Sequence, residues 1–289
     1  MNSGPARSVA EAIRTATEAL GTGTDTARLD AELLMAEALD CTRSDMFLRR
    51  MHNPAPAAYA DLIARRVAHE PLAYIRGYQE FFGLGFRVTP DVLIPRGDSE
   101  VLIEAALLAR PDARRVLDLG TGSGALLLAL LNELPQAQGV GIDRSVAALS
   151  VATGNSRALG LADRAQLQLG DWTQPGWSDG LGTFDVILAN PPYVEEAAEL
   201  APSVRGFEPA QALFAGADGL DDYRVLLPQL PALLAPAGVA LVEIGYQQAD
   251  AVTALAASAG LDSTLHFDLG GRPRALELKI SLGKPRASP

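Results

Sequence analysis

The chain has 289 residues but one cysteine, Cys41, and three histidines, His52, His69 and His266. A single thiol cannot form an intrachain disulfide, so nothing points to an oxidising compartment. The place expected for Cys41 is a buried position in an apolar helix, not that of a nucleophile. The histidines stand apart without ligand spacing, and no metal is expected. No apolar run approaches the ~18 residues of a membrane span. The first residues, Met1-Asn2-Ser3-Gly4-Pro5-Ala6-Arg7, lack the apolar stretch of a signal peptide. The expectation is a cytoplasmic protein with no membrane partner. Positive charge is short as well. The net charge of −11 argues against a broad phosphate-binding surface, and no direct nucleic-acid partner is expected.

What is present suits a core. Hydrophobic residues make up 48% and charged residues 20%, and the length suggests about two domains. Residues 1–74 read as a small helical bundle. Helical periodicity runs over Val9 to Leu20, Thr26 to Leu39, Ser44 to Arg50 and Pro56 to Ala68. Asp25 and Ser44 are candidate N-caps and Gly21 a helix stop. No cluster in the bundle suggests chemistry. Arg49, Arg50, Arg65 and Arg66 read as solvated helix faces. Residues 75–94 read as a linker containing a β-hairpin, from the alternation in Glu80-Phe81-Phe82-Gly83-Leu84-Gly85-Phe86-Arg87-Val88. Residues 95–289 begin with a helix over Val101 to Ala109, capped by Asp98 or Ser99. Strand and helix patterns then alternate, which predicts a doubly wound parallel sheet of about seven strands. The last three strands are expected at Gly238 to Ile244, Ser263 to Phe267 and Arg274 to Ile280. Only the tail from Gly283 to Pro289 reads as disordered.

Within this pattern the strand Arg115-Val116-Leu117-Asp118-Leu119 meets Gly120-Thr121-Gly122-Ser123-Gly124 and then a buried helix from Ala125. A glycine-rich turn between strand and helix lets a ligand approach the backbone, with helix N–H groups pointing into the site. The spacing is one residue shorter than the dinucleotide fingerprint. Asp118 precedes the glycines, where a carboxylate can meet an ammonium. Asp143 ends the next strand, placed to accept from both ribose hydroxyls. After Ala165 to Leu169 come Asp171, a candidate acceptor for an adenine amine, and Trp172, a candidate stacking face. Alone, the glycine loop suits a dinucleotide too. With Asp118, Asp143 and a later Asn corner, S-adenosylmethionine is the better ligand.

That corner is Asn190-Pro191-Pro192-Tyr193, directly after the apolar strand Phe184-Asp185-Val186-Ile187-Leu188-Ala189. Ligands bind at the carboxyl ends of strands in open α/β sheets. The two prolines stiffen the turn and leave acceptors without competing N–H groups. The corner suits a planar group bearing NH2, either an amide or the amine of a base. Asn190 and a main-chain carbonyl accept its two hydrogens and Tyr193 covers its face. The loop from Val194 to Gly219 is placed to cover a substrate.

The chain resembles the release-factor glutamine N5-methyltransferases, the PrmC/HemK family, over nearly its whole length. The resemblance rests on Pro71-Leu72-Ala73-Tyr74-Ile75-Arg76-Gly77, Phe81-Phe82-Gly83, Ile94-Pro95-Arg96, the segment from Asp118 to Gly124, Asn190-Pro191-Pro192-Tyr193, Phe207-Glu208-Pro209 before Ala212-Leu213-Phe214-Ala215-Gly216, and the segment from Asp268 to Arg274. After Ile94-Pro95-Arg96 the family's usual text is Pro-Asp-Thr-Glu, where this chain reads Gly97-Asp98-Ser99-Glu100. The methyltransferase domain is expected to be seven-stranded and Rossmann-like, and the bundle, a cap or partner-binding module, is expected to recognise the substrate protein. It implies methyl transfer from S-adenosylmethionine to the glutamine amide in the Gly-Gly-Gln loop of peptide-chain release factors.

An amide nitrogen is a poor nucleophile, and no residue reads as a strong general base. The expectation is catalysis by orientation, with Asn190 and the Pro191 carbonyl aiming the nitrogen, Pro192 stiffening the turn, and Tyr193 holding the amide plane and excluding water. Three rivals share parts of this pattern. Adenine N6 methylation of nucleic acid shares the Asn190 corner but calls for a basic face and a recognition domain. A non-catalytic cofactor-binding protein has no use for Asn190 or Tyr193. Methylation of a ribosomal-protein glutamine fits the same chemistry.

Overall fold

The computed structural model describes residues 7–281. The expected disordered tail, and all but Arg7 of the N-terminal stretch, lie outside them. The chain forms two compact units. One comprises residues 1–78 and 200–207, the other residues 79–199 and those from 208 onward.

The first unit holds α1 (Val9–Leu20), α2 (Ala27–Ala38), α3 (Arg43–Arg49), α4 (Ala58–Val67) and α5 (Leu72–Arg76). Apolar residues at helical spacing in α1, Val9, Ala12, Ile13, Ala16 and Leu20, pack with Leu34, Met35, Met46 and Tyr59. Ser8 caps α1 in a reciprocal capping box with Glu11, and Gly21 ends it. Two expected caps are not used. Thr42, not Ser44, accepts the Asp45 N–H at the start of α3, and α2 begins after Thr26 with no side-chain cap. Cys41 is half-buried in the bend after α2 rather than inside a helix. Arg66 is no solvated face either. Its Nε lies 2.7 Å from the buried Asp30, which needs a counter-charge out of water. Arg65 pairs with Glu70, and Arg49 and Arg50 are exposed.

The second unit carries a two-stranded sheet, β1 (Tyr78–Phe81) and β2 (Leu84–Arg87), joined by the turn at Phe82 and Gly83. Then follow α6 (Glu100–Ala109), β3 (Arg115–Leu119), α7 (Ala125–Glu133), β4 (Gln138–Asp143), α8 (Val146–Ala158), β5 (Ala165–Leu169) and β6 (Phe184–Ala189). The short α9 (Pro202–Arg205) interrupts the expected loop after β6, and its segment groups with the first unit. The chain ends with α10 (Asp221–Leu226), α11 (Leu230–Leu233), β7 (Leu234–Glu243), α12 (Ala249–Ser258), β8 (Leu261–Phe267) and β9 (Pro273–Ile280).

The seven strands lie in the order β5-β4-β3-β6-β7-β9-β8. Six run in one direction and β9 alone runs antiparallel, between β7 and β8, the one departure from the parallel sheet expected. An apolar run specifies burial but not direction, and the tight turn after β8 returns the chain beside its own strand. Side chains alternate across the sheet. Val116, Val186, Leu188, Val239 and Leu241 pack with α6 and α7 on one face. Leu117, Leu119, Ile187, Ala189, Ala240 and Val242 pack with α10, α11 and α12 on the other. The two helical layers make the sheet doubly wound and Rossmann-like. From β3 the chain moves outward through β4 to β5, then returns to lay β6 on β3's other side. The crevice at such a reversal is where α/β folds bind ligands.

Candidate active site

Register places the strand ends level. Leu119 pairs with Ile142 and with Ala189, and Ala189 pairs with Val242. Gly120, Asp143, Asn190 and Glu243 therefore share one edge. A cleft of about 960 Å³, counting its open side, lies over it. Gly120, Thr121, Gly122, Ser123, Asp143, Asp171, Trp172, Asn190 and Pro192 line this cleft. Gly124, Asp118, Pro191 and Tyr193 are not on its wall.

The glycine loop offers shape more than donors. Gly120 N and Thr121 N both donate to Ile142 O at 2.9 Å, Gly122 N donates to Asp143 Oδ2 at 2.8 Å, and Gly124 N donates to Thr121 O at 2.7 Å. These four loop amides are spent inside the protein. Gly120 has φ +76°, and a Cβ there would meet the Trp172 ring at 3.2 Å. Gly122 has φ +56°, in the left-handed region where side chains are strained. The bare backbone lets the Trp172 ring close over the turn.

Asp118 sits beneath this loop, 1% exposed. Its Oδ2 accepts from the Thr121 hydroxyl at 2.6 Å, and Oδ1 has no hydrogen-bond partner among the described residues. Burial drives its carboxyl up to about 7; the Thr121 bond opposes this and the nearby Asp143 charge adds to it. Asp143 accepts Gly122 N–H on one oxygen and Ser145 N–H, at 2.9 Å, on the other. Each oxygen keeps a lone pair for a hydroxyl.

Asp171 accepts from both the amide and the hydroxyl of Thr173, at 2.9 and 2.7 Å. Burial raises its carboxyl, but these bonds and Arg144 outweigh it and hold the carboxyl below its ordinary range. The Trp172 indole donates to Asp222 Oδ1 at 3.0 Å, which fixes the ring on the cleft wall.

Asn190 is half-buried, and its Nδ2 reaches Ser99 Oγ at 3.5 Å. That leaves Oδ1 as the acceptor. Ser99 occupies the cap position of α6 without bonding a helix amide, and Asp98 pairs with Arg274 at 2.9 Å, so neither caps α6 as expected. Pro191 and Pro192 are buried. Tyr193 turns to a second cleft, which it lines with Glu243, Arg274 and Asp98. Its hydroxyl donates to Glu243 Oε1 at 3.2 Å, and burial, then the Glu243 charge, pushes the phenol well above its ordinary range. Pro95 and Arg96 line both clefts. Arg96 is held by the buried Glu208, which also accepts the Ile94 N–H at 3.3 Å. Val194 and Leu213 to Ala215 close the base of the following loop through main-chain bonds at 2.8 and 2.9 Å.

Ser99, Glu208, Glu243 and Arg274 were not recognised as site residues in the sequence. Glu243 carries a usable signal, an acid closing an apolar strand, as Asp143 does. Ser99 and Arg274 stand in segments that carry the family resemblance, but no local pattern of their own marks them as site residues.

The residues fit an S-adenosylmethionine-sized ligand: an orphaned buried carboxylate oxygen, a bare glycine turn, a strand-end acid and a fixed indole. A profile of the PrmC N-terminal domain matches residues 11–77, and a methyltransferase-domain profile matches residues 111–250. A release factor glutamine methyltransferase of Cereibacter sphaeroides is 44% identical over 278 residues, covering 94% of this chain and 98% of that protein. The chain belongs to the release factor glutamine methyltransferase family. A second family member, from Rhodospirillum rubrum, is 44% identical over 261 residues, 88% of this chain and 79% of that protein. A methyltransferase from Pyrococcus furiosus shares the fold, with a TM-score of 0.50 at 17% identity over 77% of this chain and 100% of that one. The enzyme class expected from the residues, an S-adenosylmethionine-dependent methyltransferase, is thereby established. Among the described residues no group of acids, histidines or cysteine could hold a metal ion, and no helix is long and apolar enough to cross a membrane.

Proposed function

We infer that this enzyme methylates the side-chain amide nitrogen of the glutamine in the Gly-Gly-Gln motif of peptide-chain release factors. The carrying observation is that the Asn190 corner faces two clefts at once. Asn190 and Pro192 wall the cleft of the glycine loop, Asp143 and Trp172, while Tyr193 walls the other. In this reading the cofactor lies in the first cleft and the glutamine enters from the second.

S-adenosylmethionine, when bound, supplies an electrophilic methyl on a sulfonium. The protein's residues do the rest. Asp143 accepts from the ribose hydroxyls, Asp118 Oδ1 takes the ammonium, and Asp171 and Trp172 hold the base. Asn190 Oδ1 and the Pro191 carbonyl accept the two amide hydrogens and aim the nitrogen lone pair at the methyl. Acceptors so placed also stabilise the positive charge that grows on nitrogen during attack. Tyr193 packs beside the amide and keeps water out. The proton leaves to solvent after transfer. The first unit, with no chemistry of its own, recognises the substrate protein.

The test is mass spectrometry of recombinant release factor after incubation with enzyme and cofactor, beside duplex DNA and ribosomal protein. One methyl on the Gly-Gly-Gln peptide is expected. Methyl found only on adenine or on a ribosomal-protein glutamine would replace this reading with that one.

A further inference from the structure

Glu243 closes β7 beside β6, the strand that Asn190 follows, and it is 1% exposed. Its neighbours Val242 and Ile244 belong to the apolar core, so packing alone asks for no charge here. A buried carboxylate is costly unless it is used. Oε1 accepts from the Tyr193 hydroxyl, while Oε2 has no hydrogen-bond partner among the described residues. The Tyr223 hydroxyl holds the main-chain carbonyl at 2.8 Å. Ser99 acts on the same carboxylate and favours its charged form. Ser99 Oγ in turn faces the Asn190 amide.

These contacts contain a polarity argument. A hydroxyl has one proton to give. If Ser99 spends it toward Glu243, its oxygen presents only lone pairs to Asn190. Asn190 must then turn NH2 toward Ser99, which leaves Oδ1 for the target amide. Were Ser99 to donate to Asn190 instead, the Asn190 NH2 would face the glutamine NH2, donor against donor. The Tyr193 hydroxyl is committed to Glu243 in the same way, which holds its ring at the mouth of the second cleft.

We propose that Glu243 is the positioning residue of the methyl-accepting corner, setting the polarity of the Asn190 amide through Ser99 and the placement of Tyr193 through its hydroxyl. This rests on the glutamine reading of the site and names the group that orients it. Four neighbours act on the carboxylate. Tyr193 and Ser99 donate toward it, Arg274 favours its charge and Asp98 opposes it. Arg96 lines the same cleft, paired with Glu208. Burial is the largest influence, and the carboxyl is raised above its ordinary range.

The experiment compares Glu243→Gln, Ser99→Ala and the double variant with wild type. It reads cofactor Kd by calorimetry, and kcat, KM and the pH profile on a release factor. Glu243→Gln should bind cofactor within about twofold of wild type and lose roughly 10–100-fold in kcat, the scale of misplacing one oriented group. KM should change far less. Ser99→Ala should lose less, and the double variant should be no worse than Glu243→Gln, because both cut one link. The acid limb of the kcat profile should disappear in Glu243→Gln. Unchanged kcat overturns the proposal. So does a fall in kcat matched by weaker cofactor binding, additive with Ser99→Ala and with the acid limb intact. If Glu243→Gln does not fold by circular dichroism, unchanged kcat in Ser99→Ala overturns it alone. A wild type that leaves glutamine unmethylated refutes the function, a different result.

Discussion

The Thr121 hydroxyl is bonded to Asp118 Oδ2 at 2.6 Å beneath the glycine loop, and the opposite oxygen, Oδ1, is left unpartnered among the described residues. With its carboxyl raised to about 7 from 3.8, chiefly by burial, the folded protein holds this proton more tightly than the unfolded chain. The stability it contributes is complete below about 3.8 and is lost as pH rises through about 7. Asp118→Asn is neutral at every pH. Without cofactor it should gain on wild type as pH rises from about 5 to about 8, by up to a few kcal/mol. Thermal melts that stay parallel across that range would count against the assignment.

In the proposed function the same carboxyl links cofactor binding to protons. An ammonium at Oδ1 favours the charged form, so binding near neutral pH should release a proton and tighten as pH rises. Calorimetry in two buffers of different ionisation enthalpy measures that release. Asp118→Asn should abolish it and weaken binding by roughly 1.5–3 kcal/mol, the worth of a hydrogen bond to a charged group.

Asp143 has two tasks in the proposed function, since beside holding the ribose it anchors the amides of Gly122 and Ser145. Asp143→Ala should weaken the cofactor by more than roughly 1.5 kcal/mol and lower the melting temperature as well. Asp143→Asn keeps one acceptor oxygen and should lose less of both. Equal affinity in all three proteins would remove Asp143 from the site.

Gly120 stands at positive φ directly under Trp172. Gly120→Val should strain the turn and displace the indole, with a stability loss of about 1–3 kcal/mol. Tryptophan fluorescence should report the displaced ring. An unchanged spectrum with unchanged cofactor affinity would mean the ring takes no part in the site.

Asn190→Ala should leave folding and cofactor affinity near wild type and reduce single-turnover methylation of a release factor by roughly 10²–10³, the scale of one lost preorganised contact. Asn190→Asp should fall about as far. It keeps an acceptor but gives Ser99 no donor and sets a second charge near Glu243. Full activity in Asn190→Ala would end the proposed role.

Deletion of residues 1–77 tests the first unit. The remaining protein, if folded, should bind cofactor but methylate intact release factor with much lower kcat/KM. It should also melt earlier, since residues 200–207 lose the unit they belong to. Undiminished kcat/KM would give the bundle another task.

The order of strands and helices was legible because buried strands and amphipathic helices impose their own periods on the chain. It followed from the residues that Asp143 and Asn190 end strands and that the glycines precede a helix, and α/β geometry then put them at one edge. The caps were less legible. Thr42 displaced Ser44 because a cap needs extended backbone as well as an oxygen, and Thr42 has it, with φ −72° and ψ 153°. Strand direction was not legible either, since β9 alternates alike whichever way it runs. Ser99 lies 91 positions from Asn190, and nothing in either local pattern predicts that they meet. Local composition determined which groups this protein has at its strand ends. Only the register of β6 beside β7 and the turn into α6 decided that a buried acid, a serine hydroxyl and the Asn190 amide share one place, because hydrogen-bond partners in a core are chosen by packing and not by spacing along the chain.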